Sequence, residues 1–181
     1  MTKADLCKFM SNSVAVAISG TGNRVMTWEL EAVTTPPSLP IVHDQNSIRA
    51  AVIAWTGRPS VESAALRFGA ISNWDVSRVT NMSSLFRDQP NFDQDLNGWN
   101  VAQVTSMVGT FEDATKFDHD LNGWNVAQVT SMVGTFEDAT KFDHDLNGWN
   151  VAQVTSMVGA FEDATKFDHD LNGWNVAQVT S

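Results

Sequence analysis

A unit of 25 residues that repeats along the chain is the feature that most limits its fold. The unit at 117–141 reads FDHDLNGWNVAQVTSMVGTFEDATK. The units at 92–116 and 142–166 each differ from it at one position, an incomplete copy fills 167–181, and a diverged copy around 71–86 comes first. A fixed period of this length predicts a solenoid, in which each unit packs on its neighbours.

Within each unit the apolar residues change their spacing part-way along. The segment from Leu121 to Val126 is short and has Asn and Gly at a turn, which is typical of an extended strand. From Val129 to Ala139 the apolar residues recur at intervals of three and four, which predicts a short helix that Gly134 weakens. The predicted fold class is therefore an α/β repeat solenoid, with a short strand and a short helix in each 25-residue coil.

The first segment before the repeats comprises residues 1–45. Its stretches at 13–19 and 25–33 favour strands on either side of a Gly-Thr-Gly-Asn turn, so they predict a hairpin. The Pro-rich stretch at 34–40 predicts an extended linker. A poorly ordered tail is the alternative for this segment.

The second segment, residues 46–70, is predicted to form a small helical cap. Ser47 can cap a helix with one apolar stripe, and Ser60 can cap a second helix that ends at Gly69. Since the open end of a solenoid exposes its core, we interpret the stripe as a lid over the first coil, with a partner-binding face as the alternative. The solenoid then spans 71–181, with its last repeat incomplete. The stripe of the first helix consists of Ile48, Ala51, Val52 and Trp55.

The negative charge of the chain is concentrated in the repeats. The formal net charge is −10, and residues 92–181 carry fourteen Asp or Glu against three Lys. Nucleic acids and anionic membrane surfaces require a basic face, so neither is expected as a partner. Cys7 is the only cysteine, which excludes an internal disulfide and a Cys-based zinc site. No apolar run reaches the ~18 residues of a membrane span, so membrane insertion is not expected, and the N-terminus gives no clear signal peptide.

An Asp-x-Asp pattern, with His in the middle in the later copies, is the main candidate for binding chemistry. If coils stack at the ~4.8 Å spacing of paired strands, these residues form columns of like charge. The carboxylates then either splay into water or hold a hard cation such as Ca²⁺. Because the pattern matches no established calcium motif, we prefer the solvated surface and predict no resident metal or other cofactor. The candidate surface ladder comprises Asp93, Asp95, Asp118, His119, Asp120, Asp143, His144, Asp145, Asp168, His169 and Asp170.

Other repeated residues favour structural roles. The Trp column is interpreted as core rather than as a sugar-stacking strip, because a repeated exposed Trp would leave a large apolar stripe. The Asn columns are interpreted as corner residues that bond the local backbone. There is no phosphate-binding loop, nucleophile elbow or zinc-spaced His pair, and near-identical copies do not build one distinct site, so the chain is not predicted to be an enzyme.

The repeat resembles that of the BspA-like and mycoplasma-lipoprotein surface proteins, whose pattern is roughly F-x-x-D-L-x-x-W-D-V-x-x-V-T-x-M-x-x-M-F. The matching segments are Trp74 to Met82 with Phe86, and then Phe92 to Trp99. The match covers 71–181 and implies a leucine-rich-repeat-like solenoid and an extracellular or cell-surface adhesion role, with no catalytic residues to carry over. The chain departs from the pattern at the second Met, where it has Leu85, Thr110, Thr135 and Ala160.

Three functions remain open at this stage. The preferred one is a non-enzymatic surface or adhesion module that binds an unidentified protein or glycan through the repeated acidic-polar face. The alternative is a structural protein whose solenoids associate end to end into a filament, since the last coil stops at Ser181 without a closing unit. A chain that is a fragment of a longer array is the other explanation of this end. The third is a calcium-dependent surface coat. The candidate stacking end of the filament comprises Trp174, Val176 and Val179.

Overall fold

The structure is a computed structural model, and it describes residues 42–57 and 68–181. The predicted hairpin within 13–33 and the Pro-rich linker at 34–40 lie outside the described residues. The same holds for most of the second cap helix, which was predicted to begin after Ser60. The description below therefore concerns the first cap helix and the repeats.

In the described residues, four short elements precede the regular repeats. They are strand β1 (Val42–Asp44), helix α1 (Ile48–Thr56), a 3₁₀ turn (Ile71–Asn73) and strand β2 (Asp75–Arg78). Strand β1 pairs in parallel with β2, so that Val42 lies opposite Asp75 and Asp44 opposite Arg78, with an irregularity between the two pairs. Because β2 belongs to the first copy, this pairing joins the N-terminal elements to the start of the repeats.

Helix α1 buries the apolar stripe that its sequence contains, namely Ile48, Ala51, Val52 and Trp55. The side chain of Ser47 does not cap the helix as the sequence suggested. Its hydroxyl oxygen instead accepts a hydrogen bond from the Asp44 amide at 2.9 Å. The Asp44 carboxylate in turn accepts the amides of Asn46 and Ser47, so these residues form a local turn ahead of the helix.

The repeats contain turns and single bridges, and no helix or multi-residue strand occurs within 79–181. Where spacing predicts a short helix, the amides of Thr135, Glu137 and Ala139 each bond the carbonyl three residues earlier, at 3.1–3.3 Å. Gly134 and Asp138 have positive φ angles of 58° and 55°. Left-handed residues at this spacing interrupt a right-handed helix, which is why the segment forms successive turns instead.

Hydrogen bonds between copies join these turns into a ladder. Four alternate amides of the third copy donate to carbonyls of the next copy, each at 2.9 Å: Met132 to Ser156, Gly134 to Val158, Phe136 to Ala160 and Asp138 to Glu162. Parallel single bridges join Asn81, Ser106, Ser131 and Ser156 in order. Each copy therefore bonds the next through its backbone, while the α/β solenoid class itself stays a prediction.

Stacked aromatic side chains fill the core of the repeats. Phe111 stacks on Phe136 at 5.5 Å between ring centroids, and Trp124 stacks on Trp149 at 6.4 Å with planes 3° apart. The Trp124 indole N–H donates to the Leu96 carbonyl of the preceding copy at 2.8 Å. A fully buried large apolar side chain contributes ~1.5–3 kcal/mol, so a column of them is a main source of cohesion between copies. The tryptophans at 74, 99, 124 and 149 are only 2–4% exposed, so they belong to the core as the sequence suggested.

The threonines that replace the expected second Met are also buried. Thr110 and Thr135 are both fully buried. The Thr135 hydroxyl lies 2.8 Å from the Met132 carbonyl and 3.0 Å from the Met107 carbonyl of the preceding copy. The hydroxyl thus has hydrogen-bond partners in two copies, which is how a polar side chain is accommodated in this core.

A candidate binding face of aspartate and histidine

The acidic-polar face is the surface formed by the Asp-x-Asp segments at 93–95, 118–120, 143–145 and 168–170. It follows a phenylalanine that is buried in the first three copies and partly buried in the fourth. Asp93, Asp118 and Asp143 have side chains that are 52%, 48% and 49% exposed. The first carboxylate of the segment is therefore available to solvent in each of these copies.

Each histidine on this face lies against an aspartate of the preceding copy. The Nε2 to Oδ1 distance is 3.0 Å for His119 and Asp93, 3.3 Å for His144 and Asp118, and 3.1 Å for the equivalent pair of the last copies, His169 and Asp143. These contacts become ion pairs when the imidazole is protonated. Each histidine also lies beside the phenylalanine that precedes it by two residues, with ring centroids 5.7–6.0 Å apart.

This pairing differs from the columns of like charge that the sequence predicted. The partners are 26 residues apart rather than 25, so each His is shifted by one position toward the Asp of the copy before it. As a result, Asp93, Asp118 and Asp143 each contact a histidine of the next copy. The period alone did not reveal this contact, because it requires the sideways offset between stacked copies.

The second aspartate of each segment has a local structural role. Asp95 accepts the Asn97 amide at 2.9 Å, and the equivalent bonds of Asp120, Asp145 and Asp170 are 2.8 Å long. A carboxylate bonded two residues ahead forms an Asx turn, which sets the corner of the coil. The side chains of the face that do not form this turn are therefore the first Asp and the His.

The asparagines after this corner also bond the backbone. The Asn97 side-chain oxygen accepts the Gly123 amide at 2.7 Å, and Asn147 accepts that of Gly173 at 2.7 Å. These bonds agree with a structural interpretation of Asn97 and Asn147. Within the described ranges, no group of three or more His, Cys, Asp or Glu side chains is placed to hold a metal ion.

A column of glutamates on another part of the surface was not identified from sequence. The Glu112 side chain is only 14% exposed, and its carboxylate lies 2.5 Å from the Arg87 guanidinium of the first copy. Burial raises the pKa of Glu112 above its usual value, the Arg87 charge opposes the rise, and Glu137 of the next copy adds to it. Arg87 occupies the position of Glu112 in the first copy, and this exchange was the available sequence signal.

The predicted stacking end carries partly exposed apolar side chains. Val176 is 50% exposed, whereas Trp174 and Val179 are partly buried against the core. Trp174 still donates its indole N–H to the Leu146 carbonyl at 2.8 Å. An open depression of about 520 Å³ adjoins this region and is lined mainly by Met157, Phe161, Leu171, Trp174 and Val176.

Comparison with protein families finds a match that covers most of the repeats. A family model described as "Mycoplasma protein of unknown function, DUF285" matches residues 60–174. Searches of curated proteins and of solved structures returned no match. In the described parts of the chain, the structure has no helix long and apolar enough to cross a membrane.

Proposed function

The chain belongs to the DUF285 family of mycoplasma proteins, which is associated with surface repeat proteins, and on that premise we propose that it is a BspA-like surface module. The module is non-enzymatic and extracellular or exposed on the cell surface. It binds a protein or a glycan through the acidic-polar face. The proposal thus assigns binding to a face that recurs in every unit from 92 onward.

The observation that carries this proposal is the repeated exposure of one carboxylate per copy. Asp93, Asp118 and Asp143 are each about half exposed, and each has a His of the next copy within 3.3 Å. Backbone ladders of this kind space equivalent residues by ~4.8 Å. The face therefore offers a regular row of hydrogen-bond acceptors with imidazole groups between them.

This chemistry favours partners with repeated donors. Amino groups, guanidinium groups and sugar hydroxyls all donate to carboxylates, and several weak contacts in a row add up to useful avidity. With three Lys against fourteen acidic residues, the region 92–181 has a net charge of −11 and repels polyanions. Basic protein segments and neutral glycans are the partner classes that fit.

The test is binding to a glycan array and to immobilised basic and neutral protein surfaces. The informative variant is Asp118→Asn with Asp143→Asn, which removes two charges from the face. The matched control is Asp88→Asn with Asp163→Asn, which removes two exposed charges elsewhere. We expect the first variant to lose binding and the control to keep it. Equal loss of binding in both variants would mean that binding depends only on net charge. That result would contradict specific binding by the acidic-polar face.

A filament formed by end-to-end association is the second candidate. Its supporting observation is the apolar depression beside Phe161, Trp174 and Val176, because the next copy covers the equivalent side chains elsewhere in the array. Light scattering after size exclusion tests it over a wide range of protein concentration. A filament should gain mass with concentration and lose that gain in Val176→Asp. A constant mass would remove the filament.

A further inference from the structure

The ladder between copies uses the same atoms at every step. The Thr105 amide and hydroxyl both donate to the Thr80 carbonyl, at 2.8 and 3.1 Å. Thr130 repeats both bonds to Thr105 with the same two distances. In the opposite direction, the Met82 amide donates to the Ser106 carbonyl at 2.9 Å. Each copy thus needs a carbonyl from the copy before it and a donor for its own serine carbonyl.

The first copy has no preceding repeat in the sequence, and Gln45 occupies the corresponding place. The Thr80 amide and hydroxyl donate to Gln45 Oε1 at 3.1 and 3.3 Å, as Thr105 donates to the Thr80 carbonyl. Gln45 Nε2 donates to the Asn81 carbonyl at 3.0 Å, as the Met82 amide donates to Ser106. One primary amide carries both an acceptor and a donor, so it can stand in for a peptide group.

The Arg49 side chain takes the place of the next backbone donor along the ladder. Its guanidinium donates to the Ser83 carbonyl at 2.6 Å and reaches the Ser84 carbonyl at 3.5 Å. The residue equivalent to Ser83 in the next copy is Val108, whose carbonyl accepts the Ser84 amide at 2.7 Å. Arg49 therefore supplies the donor that a preceding copy would supply.

We propose that Gln45 and Arg49 form an end stop that imitates a preceding repeat and keeps the edge of the first copy from pairing with a second copy of this chain, which stands against the filament and is compatible with the binding module. The edge consists of the backbone groups of Thr80, Asn81 and Ser83. An unpaired edge of N–H and C=O groups is a template for strand pairing. The occupant is a second copy because every repeat in this chain pairs through this pattern of backbone bonds.

The parallel pairing of β1 with β2 supports the same interpretation. Copies within the array also bridge in parallel, so β1 approaches the first copy in the direction that a preceding copy would. The β1 strand (Val42–Asp44), Gln45 and Arg49 lie close together in sequence. A short segment therefore carries the whole end stop, and changes to two exposed or half-buried side chains can open it.

Amide exchange measured by NMR on the full chain tests the first step. The amides of Thr80 and Asn81 donate to Gln45 Oε1 at 3.1 and 2.6 Å. In Gln45→Ala, we expect both amides to exchange about tenfold faster at low protein concentration, as the loss of a bond worth about 1.4 kcal/mol predicts. Gln45→Glu keeps the acceptor and loses the donor, so it should preserve more of the Thr80 protection than Ala does. Gln128→Ala, a change at an exposed glutamine on a later copy, should leave both amides unchanged.

The double variant Gln45→Ala, Arg49→Ala tests whether a second copy of the chain pairs with the opened edge. The measurement is its mass as a function of protein concentration. We expect its mass by light scattering to exceed that of the unmodified chain as concentration rises, and the Thr80 and Asn81 amides to regain protection over the same range. Unchanged exchange in Gln45→Ala would overturn the end stop. Fast exchange that stays independent of concentration, with unchanged mass, would overturn the pairing with a second copy.

Discussion

Replacing Thr135 with valine measures what a buried hydroxyl contributes between two copies. Thr135→Val keeps the β-branched shape and removes the donor to the Met132 and Met107 carbonyls, at 2.8 and 3.0 Å. The side chain is fully buried, so water does not replace the lost bond. The expected result is a less stable protein with an unchanged fold.

The remaining partners of the two carbonyls set the size of the effect. Met132 O still accepts the Thr135 amide at 3.2 Å, and Met107 O still accepts the amide and hydroxyl of Thr110. Neither oxygen is left without a donor, so the full penalty of a buried unsatisfied group does not apply. We therefore expect a loss of about 1–1.5 kcal/mol in the free energy of unfolding, near the net value of one hydrogen bond.

Urea unfolding followed by tryptophan fluorescence gives the measurement, and the next copy supplies a reciprocal variant. Ala160 occupies the Thr135 position there, so Ala160→Thr should add the missing hydroxyl and raise stability by about 0.5–1 kcal/mol. Thr135→Val with stability equal to or above that of the unmodified chain would refute the reasoning. A loss well above 3 kcal/mol would also refute it, because it would indicate a carbonyl left unpaired or a disrupted core.

Three further predictions follow from the geometry of the repeats. His144→Gln, which copies Gln94 of an earlier unit, should cost less than about 1 kcal/mol, because the contact of His144 with Asp118 lies on the exposed surface; urea unfolding checks this. Because the pKa of Glu112 is raised, its contribution to stability is present at low pH and is lost as pH rises through that pKa. Glu112→Gln should therefore flatten the decline in the free energy of unfolding above about pH 4.5. The control Asp163→Asn, at an exposed position, should leave that decline in place. Gly134→Ala places a Cβ at a φ of 58° and 2.8 Å from a Glu137 oxygen, so it should lower stability by about 1–2 kcal/mol in thermal unfolding, and Gly98→Ala, which has open space, should cost less.

The sequence predicted the packing between copies better than the backbone of each copy. The period and the apolar positions identified the side chains that are buried, such as Phe117, Leu121 and Trp124. The predicted short helix was replaced by turns, because Asp138 adopts a left-handed conformation that spacing does not encode. Periodicity indicates which side chains share a core. A sequence indicates a positive φ angle only where it has a glycine, and Asp138 is not one.

The sequence predicted which residues form the candidate face, but only part of how they contact one another. The sequence identified Asp118 and His119 as neighbours on a polar surface, but it did not show that the His lies against Asp93 of the preceding copy. The contribution of Gln45 was also hidden, because a single glutamine in a turn has no periodic signal. Both contacts depend on how neighbouring backbones are offset, which emerges only when the copies are stacked.

The regular separation between partners has a consequence for how such a chain can change over generations. Equivalent bonds join residues 25 apart, as in Thr105 to Thr130, or 28 apart, as in Leu121 to Trp149. Gain or loss of one entire unit preserves all of these separations, so the protein can become longer or shorter without a new packing solution. An insertion that is not a whole number of units changes these separations wherever it falls. Recombination between near-identical units is therefore tolerated by the physics of this fold, and length is the property that it leaves free to vary.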